Sequence, residues 1–184
     1  MQRKSYFKTL LSGVLYLLFA SALCTVMTVA SAPFLGGYFA PTMKIILVVF
    51  TAIIYFSLIF TVAWKDGQQQ RKYLIRHKDE QERNYWLSIG VIMALIASLP
   101  SLILLFSRIA QPSESYFMIF KLICGPIYSW ILLLVPENGS SIILLSPIAP
   151  LYFIVYYMFI PVFAKIGFYV GFNDKLNQDK IMYK

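Results

Sequence analysis

The sequence predicts an all-α membrane protein with four transmembrane helices and one re-entrant or interfacial segment on the outer face. Three observations predict this class. Hydrophobic residues make up 59% of the 184 and charged residues 13%, with a mean hydropathy of +0.70; a soluble globule has about half apolar residues and a quarter charged. Three charge-free apolar runs, Leu10–Ala32, Ile45–Trp64 and Trp86–Ser107, each reach the about 20 residues that a helix needs to cross hydrocarbon. Thirteen of the sixteen Lys and Arg residues fall in three clusters that a single topology places on one face of the bilayer.

The first run follows a basic start, MQRKSYFK, and Ala30-Ser31-Ala32 has the small-residue look of a signal cleavage site. A secretory signal has an apolar core of about 7–15 residues. Leu10–Ala32 is longer, and Pro33 would stand directly after the cut. The expectation is an uncleaved first span over residues 10–32. Pro33, Gly36, Gly37 and Pro41 then make a short uncharged turn on the outer side. The second span covers 45–64 and the third 86–107, with Trp64 and Trp86 at the same interface, where indole rings favour the headgroup level.

Between those tryptophans lies the most polar part of the chain, KDGQQQRKYLIRHKDEQERNY, with its only histidine, His77. It is expected to be a cytoplasmic loop, 65–85, in which Gly67 breaks span two and a short helix follows from Gln68. Arg76 with Glu80, Lys78 with Glu82 and Asp79 with Arg83 are i,i+4 pairs, each worth about 0.2–0.5 kcal/mol. A histidine flanked by Arg76 and Lys78 is expected to be solvated.

The second half is less regular. Residues 116–135 are apolar but hold Lys121 and Gly125-Pro126, and proline removes a backbone donor and kinks a helix. PENGSS follows as a turn signal. The run from Ile142 to Phe172 contains Pro147, Pro150 and Pro161, and its best span is 150–170. Basic residues arbitrate. If 116–135 does not cross, four spans result, and the clusters at Arg3–Lys8, Lys65–Arg83 and Lys165–Lys184 all become cytoplasmic, leaving only Lys44, Arg108 and Lys121 elsewhere. If it crosses, five spans result and the basic C-terminus lies outside. The first alternative keeps the positive-inside bias. The Gly125-Pro126 kink must then be shielded by the other spans, because lipid cannot satisfy bent backbone.

Two stripes of small residues, Ser21, Thr25, Thr28 and Ala32 on span one and Gly90, Ala94, Ala97 and Ser101 on span three, predict close helix contacts. Tyr152, Tyr156, Phe159 and Phe163 recur at helical spacing as an aromatic stripe. This stripe reads as helix packing or, more sharply, as a groove for a lipid or apolar ligand. Lys165 is placed to snorkel toward headgroups.

Chemistry is sparse. One histidine cannot supply a zinc-protease pair, no base stands near a nucleophile in the spans, and no glycine-rich phosphate loop is present. Cys24 and Cys124 lie in apolar surroundings without the spacing of a metal site or disulfide framework. The net charge of +8 fits cytoplasmic loops beside anionic lipid and not a nucleic-acid-binding domain. No catalytic residue, cofactor or metal is expected. The residues singled out for function are Lys121, Pro126, Lys165, Tyr152 and Tyr156.

WKDGQQQRKYLIRHKDEQERNYWLSIG, ALIASLP and AKIGFYVGFNDKLNQDKIMYK together resemble a family of small uncharacterised polytopic membrane proteins from low-GC Gram-positive bacteria. Members commonly end in a glycine-tyrosine-x-x-glycine-tyrosine element and a basic tail. Gly167, Tyr169 and Gly171 echo that element, with Phe168 and Phe172 at the tyrosine places. The resemblance implies a fold and a bacterial inner membrane, multi-pass, with N- and C-termini cytoplasmic; it implies no activity and no site residue. The expected function is a non-enzymatic accessory or interaction subunit, set in the lipid bilayer with a partner membrane protein or as a homo-oligomer. The alternative is a component of small-solute or lipid transport, or of a channel.

Overall fold

A computed structural model describes residues 5–31, 40–77, 84–107, 124–134 and 149–173. Among these the chain is helical and has no strand: α1 Tyr6–Ala30, α2 Ala40–Arg76, α3 Trp86–Ser107, α4 Gly125–Leu134, α5 Ala149–Tyr157 and α6 Ile160–Asn173. Three helices are long and apolar enough to cross a membrane: α1, α2 from Thr42, and the stretch Phe153–Asn173 that runs through α5 and α6. The 22-residue α3 is apolar as well over Trp86–Leu102.

The start of α1 is set by Ser5, whose side chain accepts the Lys8 N–H at 3.4 Å, the usual N-cap device. Its buried residues, Thr9, Gly13, Leu17, Ala20, Ser21, Cys24, Thr25 and Thr28, recur at helical spacing. The opposite face exposes Leu11, Leu15, Leu18, Phe19, Val26 and Val29. The buried hydroxyls stay satisfied within the helix, Thr25 donating to the Ser21 carbonyl at 3.1 Å and Thr28 to the Cys24 carbonyl at 2.8 Å.

In α2 there are 37 residues, a rod about 55 Å long at 1.5 Å per residue. The expected break at Gly67 does not occur. Gly67 lies inside the helix, and a Cβ there would collide with the Phe168 carbonyl oxygen and the Phe172 nitrogen of α6. Glycine serves close backbone approach at this position, and the packing outweighs its helix cost of about 1 kcal/mol. Helix therefore runs unbroken through residues 65–76, and the short helix expected from Gln68 is continuous with α2. The ion pairs expected at Lys78, Asp79, Glu80, Glu82 and Arg83 lie outside the described residues.

The α2–α6 contact repeats along both helices. Gly167 faces Phe60 and Ala63, Gly171 faces Trp64, and Arg71 Nη1 donates to the Phe172 carbonyl at 3.1 Å. Positions rise together on the two helices, so α2 and α6 run parallel. In the same way α1 and α3 run parallel. Tyr6 meets Tyr85 edge-on at 5.2 Å, and Gly13 faces Trp86, Ile89 and Met93. The small-residue face of α3 is turned inward at Gly90, Ala94 and Ser101, and Gly90 lies against Pro161 and Ala164 of α6. On α1, Ser21, Thr25 and Thr28 are buried, and Ala32 lies outside the described residues.

Among the described residues α4 has ten residues, about 15 Å of helix. Gly125-Pro126 does not kink it but begins it. Proline fits the first turn, where its missing N–H has no intrahelical partner. The helix starts deep in the bundle. The Gly125 N–H donates to Ser21 Oγ at 3.2 Å, and Ser21 lies midway along the expected span 10–32. From there Ser129 reaches Thr51, their hydroxyls 2.9 Å apart. Cys124, just before the helix, lies beside Tyr157, which packs on Tyr55 with ring centroids 6.2 Å apart. Tyr55 is one turn further along α2 than Thr51, so α4 points back toward the end where α2 begins.

Between α5 and α6 the helix is interrupted at Met158–Phe159. Pro161 supplies the cause: it cannot donate to the Tyr157 carbonyl one turn earlier. The ladder resumes with Phe163 N–H donating to the Phe159 carbonyl at 3.1 Å. This interruption also breaks the expected aromatic stripe. Tyr156 and Phe163 are half-buried, Phe159 is turned outward, and the Tyr152 side chain lies outside the described residues.

Candidate functional site

Two of the buried polar regions among the described residues bear on function. The first sits where α1, α2, α4 and α5 converge. Cys24 Sγ donates to the Thr51 carbonyl at 3.5 Å, and Thr51 Oγ1 lies 2.8 Å from the Leu47 carbonyl and 2.9 Å from Ser129 Oγ. Ser129 Oγ lies 2.8 Å from the Pro126 carbonyl. The half-helix α4 is thereby pinned to α1 through Ser21 and to α2 through Thr51. Pro126 is buried at this junction. Its role is to open α4, and its own carbonyl serves as an acceptor.

Aromatic rings continue the junction toward α5 and α6. Tyr156 packs on Phe56 at 5.1 Å, on Tyr157 at 5.7 Å and on Tyr55 at 6.3 Å, and Phe56 stacks on Phe163 at 4.7 Å. The indole of Trp130, on α4, meets Tyr156 edge-on with centroids 6.4 Å apart. The two rings are half-buried, yet their polar atoms are fully enclosed. Among the described residues, Trp130 Nε1 and Tyr156 Oη have no hydrogen-bond partner. Enclosed donors without acceptors are uncommon in proteins and call for an explanation. Tyr156 was singled out from the sequence; Trp130 was not. Its signal was present all the same: an indole four residues after Pro126, on a segment too short to span.

The second region lies at the end of the bundle marked by Trp64 and Trp86. Asp66 is 4% exposed, and its Oδ2 accepts the Trp86 Nε1 hydrogen at 2.9 Å. One turn on, Arg71 closes the C-terminal end of α6 through the Phe172 carbonyl, where a cation also meets the negative end of the helix dipole. A carboxylate survives burial when charge-assisted bonds hold it. In the sequence the charge-free run ends at Trp64, so Asp66 reads there as a loop charge. The helical phase gives it away, since Ile59, Val62 and Ala63 are buried and Asp66 follows them at seven, four and three positions.

The remaining sequence candidates do not assemble. Lys165 is exposed on α6, Lys121 lies outside the described residues, and His77 is exposed, stacked on Tyr73 at 4.3 Å. Among the described residues no three His, Cys, Asp or Glu side chains gather to hold a metal. No protein-family model, curated protein or solved structure matches the chain.

Proposed function

We propose that the protein is a non-enzymatic accessory or interaction subunit of a bacterial inner membrane. It crosses four times, carries a re-entrant outer-face segment, and keeps both termini in the cytoplasm. The parallel run of α2 and α6 supports the four-span reading, since a fifth crossing by 116–135 would make those helices antiparallel. The start of α4 beside Ser21, midway along α1, supports a re-entrant segment. The clustering of basic residues supports the orientation, and the resemblance to small membrane proteins of low-GC Gram-positive bacteria supports the compartment.

One observation carries the functional reading. Residues 65–76 extend α2 by three turns beyond Trp64, and the end of α6 clamps them through Gly67, Gly171 and Arg71. Lys65, Lys72, Ile75 and Arg76 are exposed on the extension and share one face by helical spacing. A rigid cytoplasmic rod with an apolar residue among cations is a docking element for a partner membrane protein or for a second copy. The test is purification in mild detergent with mass determination. The wild type should elute as a hetero- or homo-oligomer. Lys72→Glu combined with Ile75→Asp should release the partner while the protein accumulates normally. A wild-type monomer alone would overturn the reading.

The alternative, a small-solute or lipid transport component, draws on one feature, the enclosed donors of Trp130 and Tyr156 beside a half-helix. Lipid or solute movement in proteoliposomes that depends on Tyr156 would favour it.

A further inference from the structure

We infer that the face of α2 bearing Lys65, Lys72, Ile75 and Arg76 receives an acidic amphipathic helix of another protein, whose carboxylates meet the three cations and whose apolar seam meets Ile75. The inference rests on the docking reading above and names the chemistry of the partner.

Helix length decides between lipid and protein as the occupant. The uncharged residues 45–64 make about 30 Å of helix, the thickness of the hydrocarbon. The helix then continues without a break to Arg76. Lys72 and Arg76 therefore stand about 12 and 18 Å past Trp64 along the axis, and a common tilt of about 20° shortens this little. The headgroup layer is about 5–8 Å deep on each side. Lys65 reaches the lipid phosphates, but Lys72 and Arg76 rise above them, and a Debye length of about 8 Å weakens the headgroup charge at that height. Ile75, 47% exposed, lies between the two, where no acyl chain covers it.

The chain offers little to answer these cations. Among the described residues the only carboxylate is Asp66, which is buried against Trp86. A second copy would bring the same cationic face, and like charges set against each other oppose association. Lys65 and Lys72 are seven residues apart, and Ile75 and Arg76 follow Lys72 at three and four. This is the spacing with which one helix meets another along a seam. The clamp through Gly67 and Arg71 holds the extension against α6 before a partner arrives, so little ordering is required on binding.

The experiment uses the full chain in phosphatidylcholine nanodiscs, which carry no net charge. The probe is a fluorescent helical peptide of about three heptads with Leu along its seam and Glu beside it; control peptides carry Gln or Lys in place of Glu. Wild type should bind the Glu peptide, more weakly as salt rises, and should bind neither control. Lys72→Glu should weaken binding about fivefold, as one exposed pair turned repulsive implies. Lys8→Glu makes the same charge change at an exposed position off this face and should have no effect. Lys72→Glu with Arg76→Glu should lose the Glu peptide and gain the Lys peptide, an exchange that a misfolded variant cannot give. Equal binding of the Glu and Gln peptides, or equal loss in Lys8→Glu and Lys72→Glu, would overturn the acidic helix. A wild-type dimer dissociated by Lys72→Glu, without binding of the Glu peptide, would give the face to a second copy. With Cys24 and Cys124 replaced, a fluorophore at position 72 should be quenched by headgroup-spin-labelled lipid less than one at position 65; equal quenching would give the face to headgroups. The docking reading fails separately. An oligomer in mild detergent that survives both high salt and Lys72→Glu keeps the subunit and removes the acidic partner, whereas a monomer that binds the Glu peptide as described does the reverse.

Discussion

Trp86, the first residue of α3, hydrogen-bonds Asp66 of α2 through Nε1 and Oδ2 at 2.9 Å, and both residues are buried. The bond joins the two helices at their shared end and lets an acidic residue enter the packed region. Trp86→Phe keeps the ring system's apolar character but withdraws the donor. Weakening the solvation of a buried acceptor costs about 1–3 kcal/mol, so the variant should unfold at a lower temperature in detergent. Asp66→Asn retains an acceptor oxygen and should fall between the two. A Trp86→Phe protein as stable as the wild type would show that the bond contributes nothing.

The N-terminus of α4 gives a second prediction. Its Gly125 N–H depends on Ser21 Oγ in a region where no bulk water is at hand. Ser21→Ala removes the acceptor and should destabilise the protein by about 1–3 kcal/mol. Ser21→Thr restores a hydroxyl and should recover most of the loss. Thermal unfolding of the three proteins, read by tryptophan fluorescence, checks the order; an unaltered Ser21→Ala would mean that α4 is not held this way.

The helical class and the inward faces of α1 and α3 are legible in sequence, because charge-free length and small-residue spacing are local properties. What escaped is tertiary. Gly67 reads as a breaker when a helix is considered alone, and only the backbone of α6 at Phe168 shows why a glycine is needed inside α2. Asp66 reads as the first loop charge, because nothing in its neighbourhood announces a donor twenty positions later at Trp86. Gly125-Pro126 reads as a kink, since proline at a helix start and proline within a helix differ only in where the helix begins. The partnerless atoms of Trp130 and Tyr156 are a property of the assembled bundle alone.

Topology yields the third prediction. With Cys24 and Cys124 replaced, single cysteines at Pro41, His77 and Lys184 report sidedness to an impermeant thiol reagent in intact cells. Position 41 should label from outside. Positions 77 and 184 should label only after permeabilisation, as the parallel course of α2 and α6 requires if both leave the membrane on one side. Labelling at 184 in intact cells would install the five-span alternative.

The last prediction concerns the α3–α6 contact. A Cβ at Gly90 would lie 2.6 Å from the Pro161 Cα and 3.3 Å from the Ala164 Cβ, so even alanine must push the helices apart. Gly90→Leu adds a larger side chain at the same place. Overpacking typically costs about 1–3 kcal/mol, and in lipid no hydrophobic drive restores the contact once the backbones separate. By transfer energy alone leucine is the better membrane residue, so a protein held together only by partition into lipid would tolerate or prefer it. Leu95, by contrast, is 51% exposed, and truncating it to alanine leaves space that lipid fills. Gly90→Leu should therefore reduce detergent-resistant folded protein severely, Gly90→Ala partially, and Leu95→Ala barely. Pro161→Ala alone should not rescue Gly90→Leu, because the atom nearest to the new Cβ is the backbone Cα of residue 161, which every substitution keeps. Equal accumulation of Gly90→Leu and Leu95→Ala would mean that this face of α3 looks at lipid, and the packing of α3 on α6 described above would not hold.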